Sequence, residues 1–195
     1  MARTRKPTEP FRVLVADPPW GFSDSLPGKT RGAAKQYETL TVDEIKRYPL
    51  PPMADAALLF LWRVSSMQEE ALEVVRAWGF TVKSEICWVK LSTTGEKLHM
   101  GMGRILRGAH ETCLVAARGR YAPEVIDKGV RTVLLAPVTA VEETGKIKHS
   151  SKPAAFYDVV ESVFPGPYAE LFARTRRNAM WTQWGDELEG RPAHP

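Results

Sequence analysis

A chain of 195 residues is long enough for one domain with its own core, since a globule of that size buries roughly 70% of its unfolded surface. Hydrophobic residues at 44% and charged residues at 26% exclude a wholly disordered chain. The 27 Lys and Arg against 23 Asp and Glu leave +4, which permits a polyanionic partner without demanding one.

Residues 1–10 read as a flexible basic arm with two prolines, residues 11–190 as one catalytic domain and 191–195 as a tail. The basic N-terminus has no apolar stretch behind it, so no secretory signal is expected. The strand run from Arg12 to Ala16 ends at Asp17-Pro18-Pro19, because successive prolines cannot continue a central strand. Residues 21–40 lack periodicity and read as a long loop of the functional kind. Thr41 and Glu44 form a capping-box pattern that starts a short helix to Arg47.

Ala56 to Trp62 is a continuous apolar run, which predicts a strand buried on both faces. It is also the longest apolar run, far short of the roughly 20 residues of a membrane span. Ser65 or Ser66 should cap a helix with Met67, Ala71, Leu72, Val75 and Trp78 on one face, ended by Gly79. Strands follow at Thr81–Lys90 and Glu111–Arg118, around a Gly-rich polar segment, with a shorter one at Arg131–Leu135. After a second loop at 136–151, Pro153 suits the first turn of a helix to Val163, and Tyr168–Ala173 reads as a strand. Strands alternating with helices predict an α/β three-layer sandwich with a largely parallel sheet.

Cys87 and Cys113 are far apart and match no ligand spacing, and the four histidines do not cluster. The expectation is a reduced, cytoplasmic chain without a metal. Gly28-Lys29-Thr30 imitates the end of a phosphate-binding loop, but Ser23 stands where that loop needs glycine. Gly101 and Gly103 lack the third glycine of a dinucleotide fingerprint, since Leu106 holds its place.

In open α/β sheets ligands bind beyond the carboxyl ends of the strands, where Asp17-Pro18-Pro19-Trp20 falls. The Asp17 carboxylate and the Pro18 carbonyl can both accept hydrogen bonds from an exocyclic amino group. That turns the nitrogen lone pair out of the ring and toward an electrophile. Trp20 beside them offers a stacking face for a flat base. As a plain strand-ending turn, the same tetrapeptide would carry no chemistry.

The tetrapeptide resembles the catalytic motif of the adenine-N(6) methyltransferases related to the eukaryotic mRNA adenosine methyltransferase catalytic subunit, a family with bacterial and phage members acting on DNA. Further blocks resemble that family in the same order: Tyr37 to Ile45, Leu59 to Trp62, Ala77 to Phe80, Gly101 to Gly103 with Arg107, His110 and Glu111, then His149 to Pro153, Glu170 to Arg174 and Trp184 to Glu187. The resemblance implies a Rossmann-like methyltransferase fold with permuted motif order, binding S-adenosylmethionine. It assigns catalysis to Asp17, Pro18, Pro19 and Trp20. To the cofactor it assigns Asp17, Lys152, Glu170, Phe172, Arg174, Asn178, Gly185, Asp186 and Glu187. Lys152, just before a helix, would pair with the cofactor's carboxylate. Asp186 departs from the Asn found in many members.

The expected substrate is adenine in nucleic acid, DNA ahead of RNA, flipped or unpaired so that its amino group is presented. Trp20, Lys29, Arg31, Lys35, Tyr37, Arg104, Arg107, His110 and Glu111 are its expected contacts, with Lys97, Lys146 and Lys148 as further loop cations. A monomer or homodimer without a membrane partner completes the expectation. Two rivals stand beside it. One is a non-catalytic nucleic-acid-binding subunit of a methyltransferase complex, which would tend to lose Asp17 or Trp20. The other is an amino-methyltransferase for cytosine or protein glutamine, which usually shows tyrosine in place of Trp20.

Overall fold

The computed structural model describes residues 9–21, 39–101, 105–138, 151–185, 188 and 195. Lys29, Arg31, Lys35, Tyr37, Arg104, Lys146, Lys148, Asp186 and Glu187 lie outside the described residues. The elements in chain order are β1 Phe11–Ala16, α1 Val42–Lys46, β2 Met53–Arg63, α2 Gln68–Ala77, β3 Thr81–Leu91, β4 His110–Arg118, a 3-10 turn Ala122–Glu124, β5 Val133–Pro137, α3 Ala154–Val163, β6 Tyr168–Leu171 and β7 Trp181–Gln183.

The seven strands form one sheet in the order β5-β3-β4-β2-β1-β6-β7. β4 runs antiparallel to both its neighbours, and the other four pairings are parallel. The largely parallel α/β sandwich expected from the alternation is therefore the fold. α1 and α2 cover one face, where Ile45, Ala71, Val74, Val75 and Trp78 pack on Leu14, Leu59, Leu61, Leu114 and Leu171. α3 covers the other, with Phe156, Tyr157 and Val160 against Val13, Val15, Phe60, Trp62 and Trp88. β2 explains the apolar run: alternate residues feed opposite cores, so neither face is polar.

Local signals hold where the partner is close in sequence. The Thr41 hydroxyl accepts from the Glu44 N–H while the Glu44 carboxylate accepts from the Thr41 N–H, a complete capping box. Gly79 ends α2 with φ +80°. Four expectations are corrected. Neither serine caps α2; its N-cap is Met67, with no side-chain cap bond. Pro153 is the N-cap of α3 rather than its first helical residue, and β5 lies two residues later than Arg131–Leu135. The strand from Tyr168 stops at Leu171, because Phe172 turns the chain with φ +60°. β7 has no counterpart in the sequence reading; at three residues it is too short for periodicity to reveal.

Candidate active site

β1 sits between β2 and β6; the connection from β1 to β2 carries α1 on one face of the sheet, and α3, which leads into β6, covers the other. The carboxyl end of β1 is thus a topological switch point, where open α/β sheets form a crevice. A shallow, open cleft lies there. Its lining comes from β1 (Val15, Asp17), β2 (Trp62), the start of α3 (Ser151, Lys152, Tyr157) and the β6 end (Glu170, Phe172, Arg174, Thr175).

A ladder of alternating charges crosses this edge of the sheet. Lys152 Nζ donates to Asp17 Oδ2 at 2.6 Å and lies 3.2 Å from Glu111 Oε2, while Lys90 Nζ donates to Glu111 Oε1 at 2.5 Å. The Lys152 ammonium stands 5.1 Å over the Trp62 ring, a cation–π position, and its side chain is only 7% exposed. Burial pushes the Lys152 ammonium toward neutrality, but Asp17 and Glu111 outweigh it, and the pKa ends above the ordinary lysine value. Burial likewise opposes the Glu111 charge, and Lys152 and Lys90 overcome it, holding the carboxyl down to about 2. Lys152 and Glu111 are therefore fixed charges at neutral pH, unsuited to shuttling a proton.

Behind the cleft, Glu170 is buried and doubly satisfied. Tyr157 Oη donates to its Oε1 and Gln183 Nε2 to its Oε2, both at 2.6 Å. Burial raises the Glu170 pKa against these two hydrogen bonds. Gln183 also donates to the Thr175 carbonyl at 2.8 Å and accepts from the Arg177 N–H at 2.8 Å. One β7 side chain thus pins the turn that brings Phe172, Arg174 and Thr175 to the cleft. Phe172 itself holds a left-handed backbone, φ +60°, that side chains seldom adopt.

The tetrapeptide divides. Asp17 faces the cleft. The Pro18 carbonyl accepts from the Trp20 N–H at 2.8 Å, leaving one lone pair for a ligand, and the Pro19 carbonyl accepts from the Leu40 N–H at 2.9 Å. Trp20 is 4% exposed, lies in the core under α1 and α2, and donates its indole N–H to the Trp62 carbonyl at 3.0 Å. The expectation of an open stacking face is corrected: this ring braces the β1 end against the β2 end.

Of the residues assigned to the cofactor, Asp17, Lys152, Glu170, Phe172 and Arg174 come together at the cleft. Asn178 and Gly185 do not line it. Asn178 shapes the turn into β7 and donates to Glu161, roughly 13 Å along α3 from Lys152. A side chain at Gly185 would sit 2.2 Å from the Ala173 carbonyl oxygen, so glycine there permits the chain past β7 to approach the β6 turn. On the substrate side, Glu111 joins the ladder, and Arg107 and His110 are exposed at the same edge. Sequence reasoning missed Lys90, Trp62, Tyr157 and Gln183. Lys90 and Trp62 were findable as residues ending strands at the carboxyl edge; Tyr157 and Gln183 carried no local signal.

The MT-A70 family profile matches residues 11–187, which takes in every element of the sheet. The chain belongs to the MT-A70 family. It is similar to the human N(6)-adenosine-methyltransferase catalytic subunit METTL3, 32% identical over 183 residues, covering 92% of this chain and 28% of the human protein. The MT-A70-like N(6)-adenosine-methyltransferase of Arabidopsis thaliana is 32% identical over 183 residues, covering 92% of this chain and 24% of its own length. The type II methyltransferase M.MunI of a Mycoplasma species is 25% identical over 200 residues, covering 93% of this chain and 79% of that enzyme. This MT-A70 chain thus spans only about a quarter of the adenosine methyltransferases it matches.

Proposed function

We propose that the chain transfers a methyl group from S-adenosylmethionine to the 6-amino group of adenine in nucleic acid, with DNA ahead of RNA as the polymer. The observation that carries this reading is Asp17: a carboxylate at the switch point of the sheet, ion-paired with Lys152 and open to a cleft. The names of the adenosine methyltransferases support adenine as the base. Likeness along 79% of a type II methyltransferase supports DNA over RNA.

The residues present fit S-adenosylmethionine. Its amino-acid end carries both charges, and the cleft offers a carboxylate at Asp17 and cations at Lys152 and Arg174, beside apolar Val15 and Phe172. When bound, the cofactor supplies a methyl group already activated on a sulfonium. Asp17 and the free lone pair of the Pro18 carbonyl accept hydrogen bonds from the adenine amino group and aim its lone pair. Lys152, held by Glu111, which Lys90 holds in turn, fixes the direction of the Asp17 carboxylate. Such positioning is worth roughly 7–11 kcal/mol of a barrier. No general base is required, because the nitrogen sheds its proton readily once methylated, which suits an edge whose Lys152 and Glu111 charges are fixed.

The test is single-turnover methylation with labelled donor, followed by mass spectrometry of the nucleosides. Wild type should yield N(6)-methyladenine, and Asp17→Ala should be slower by about a hundredfold, the scale of one strong charge-assisted hydrogen bond. Circular dichroism checks the fold, and calorimetry with S-adenosylhomocysteine reports the cofactor site without turnover. A folded Asp17→Ala that methylates at the wild-type rate rejects the mechanism. Methylcytosine as product moves the chain to another amino-methyltransferase class, and absence of both product and cofactor binding makes it a binding subunit.

A further inference from the structure

Between β3 and β4, residues 92–101 and 105–109 form two arms at the sheet edge that carries Asp17. Leu98 bridges back to Leu91 antiparallel, the His99 N–H donates to the Lys90 carbonyl at 2.8 Å, and the Lys90 N–H donates to the Ala109 carbonyl at 2.8 Å. Higher up, the Gly101 N–H donates to the Gly108 carbonyl at 3.0 Å. A side chain at Gly101 would come within 2.5 Å of that carbonyl oxygen, so the two arms touch backbone to backbone, and their described residues form a finger. Beyond this contact, Ile105 is 95% exposed and Leu106 82%. Leu98 and Met100 on the rising arm are 65% and 76% exposed.

Single exposed aliphatic residues are ordinary on a protein surface, but four within nine positions mark a contact. Their neighbours include the exposed cations Lys97 and Arg107, with exposed His110 and partly buried His99, against one exposed carboxylate, Glu96. The finger also rises from Lys90, the outer rung of the charge ladder that ends on Asp17. Apolar Ile105 and Leu106 with basic residues around them, on the sheet edge that carries the reacting group, fit a polyanion whose interior is a stack of flat bases. Taking an adenine out of that stack leaves a gap, and apolar side chains are the groups that proteins insert between base steps. We propose that Ile105 and Leu106 form a wedge that enters the base stack and holds the target adenine out of it. This rests on the nucleic-acid reading of the cleft.

The test replaces both residues, Ile105→Ser with Leu106→Ser; their exposure makes loss of the fold unexpected, and circular dichroism checks it. Methylation is compared on a duplex and on the same sequence with the target adenine opposite an abasic site, where extrusion costs little. The double variant should lose roughly tenfold or more on the duplex and less than about twofold on the abasic form. Fluorescence of 2-aminopurine placed beside the target, read on binding alone, should rise with wild type and stay low with the variant. Equal rates on the duplex, equal loss on both substrates, or a wild type that methylates the abasic form but is inert on duplexes overturns the wedge. A changed oligomeric state by light scattering, with loss on both substrates, assigns Ile105 and Leu106 to a protein contact instead. A wild type that methylates neither substrate rejects the adenine reading, while a 2-aminopurine signal lost only in the variant would still locate the wedge.

Discussion

At Trp20 the packing decides what a substitution does. The ring lies in the core under α1 and α2, and its N–H is bonded to a carbonyl of β2. Trp20→Ala should therefore lower stability by about 3–5 kcal/mol, the usual cost of deleting a buried aromatic side chain. Trp20→Phe keeps much of the packing and gives up one hydrogen bond, about 1 kcal/mol. Urea denaturation of the three proteins checks the order, and an unchanged midpoint for Trp20→Ala would put the ring outside the core. The sequence shows an aromatic residue beside a carboxylate, which invites a stacking role. Its burial is set by Trp62, 42 residues further on, and no local pattern carries that information. Asp17 was legible for the opposite reason: strand end, carboxylate and prolines are adjacent in the chain.

Elements were legible in proportion to their length and to how near their caps lie. β1, β2 and β3, α1 and the body of α2 follow from apolar runs and nearby stop signals. β7 and the turn before it do not, although they control the cleft. Gln183 reaches from β7 to Glu170 in β6 and holds both Thr175 and Arg177 of the intervening turn. Gln183→Leu keeps the volume and removes these bonds, leaving buried Glu170 and the Thr175 carbonyl short of a donor. Such losses cost about 1–3 kcal/mol each. The turn carrying Phe172 and Arg174 should then loosen. Affinity for S-adenosylhomocysteine, measured by calorimetry, should fall about tenfold, while affinity for nucleic acid changes little. Equal weakening of both would mean a general loss of stability rather than misplacement of the cofactor turn.

Across the whole molecule, the alternation of strands and helices made the layered sheet readable, but not the reversal of β4. An apolar strand reads the same in either direction. That reversal has a chemical consequence: it brings the first residues of β4 to the carboxyl edge of its neighbours, so Glu111 meets Lys90 of β3 and Lys152 before α3. The ladder Lys90–Glu111–Lys152–Asp17 thereby ties β3, β4, the start of α3 and the end of β1 into one edge. Its contribution to stability is pH-dependent in a definite direction. Glu111 is held at about 2 in the fold, against an ordinary value of 4.5, so the folded state favours the carboxylate. A depressed carboxyl pKa gives stability that is complete above the ordinary value and is lost as pH falls toward the folded one. Glu111→Gln keeps the shape and removes the charge, leaving Lys152 with Asp17 alone. The difference in unfolding free energy between wild type and Glu111→Gln should be widest near neutral pH and should shrink between pH 4.5 and about 2. Urea denaturation of both proteins across that window measures it. A difference that stays constant down to the acid end would show that Glu111 contributes by shape and hydrogen bonding, without its charge.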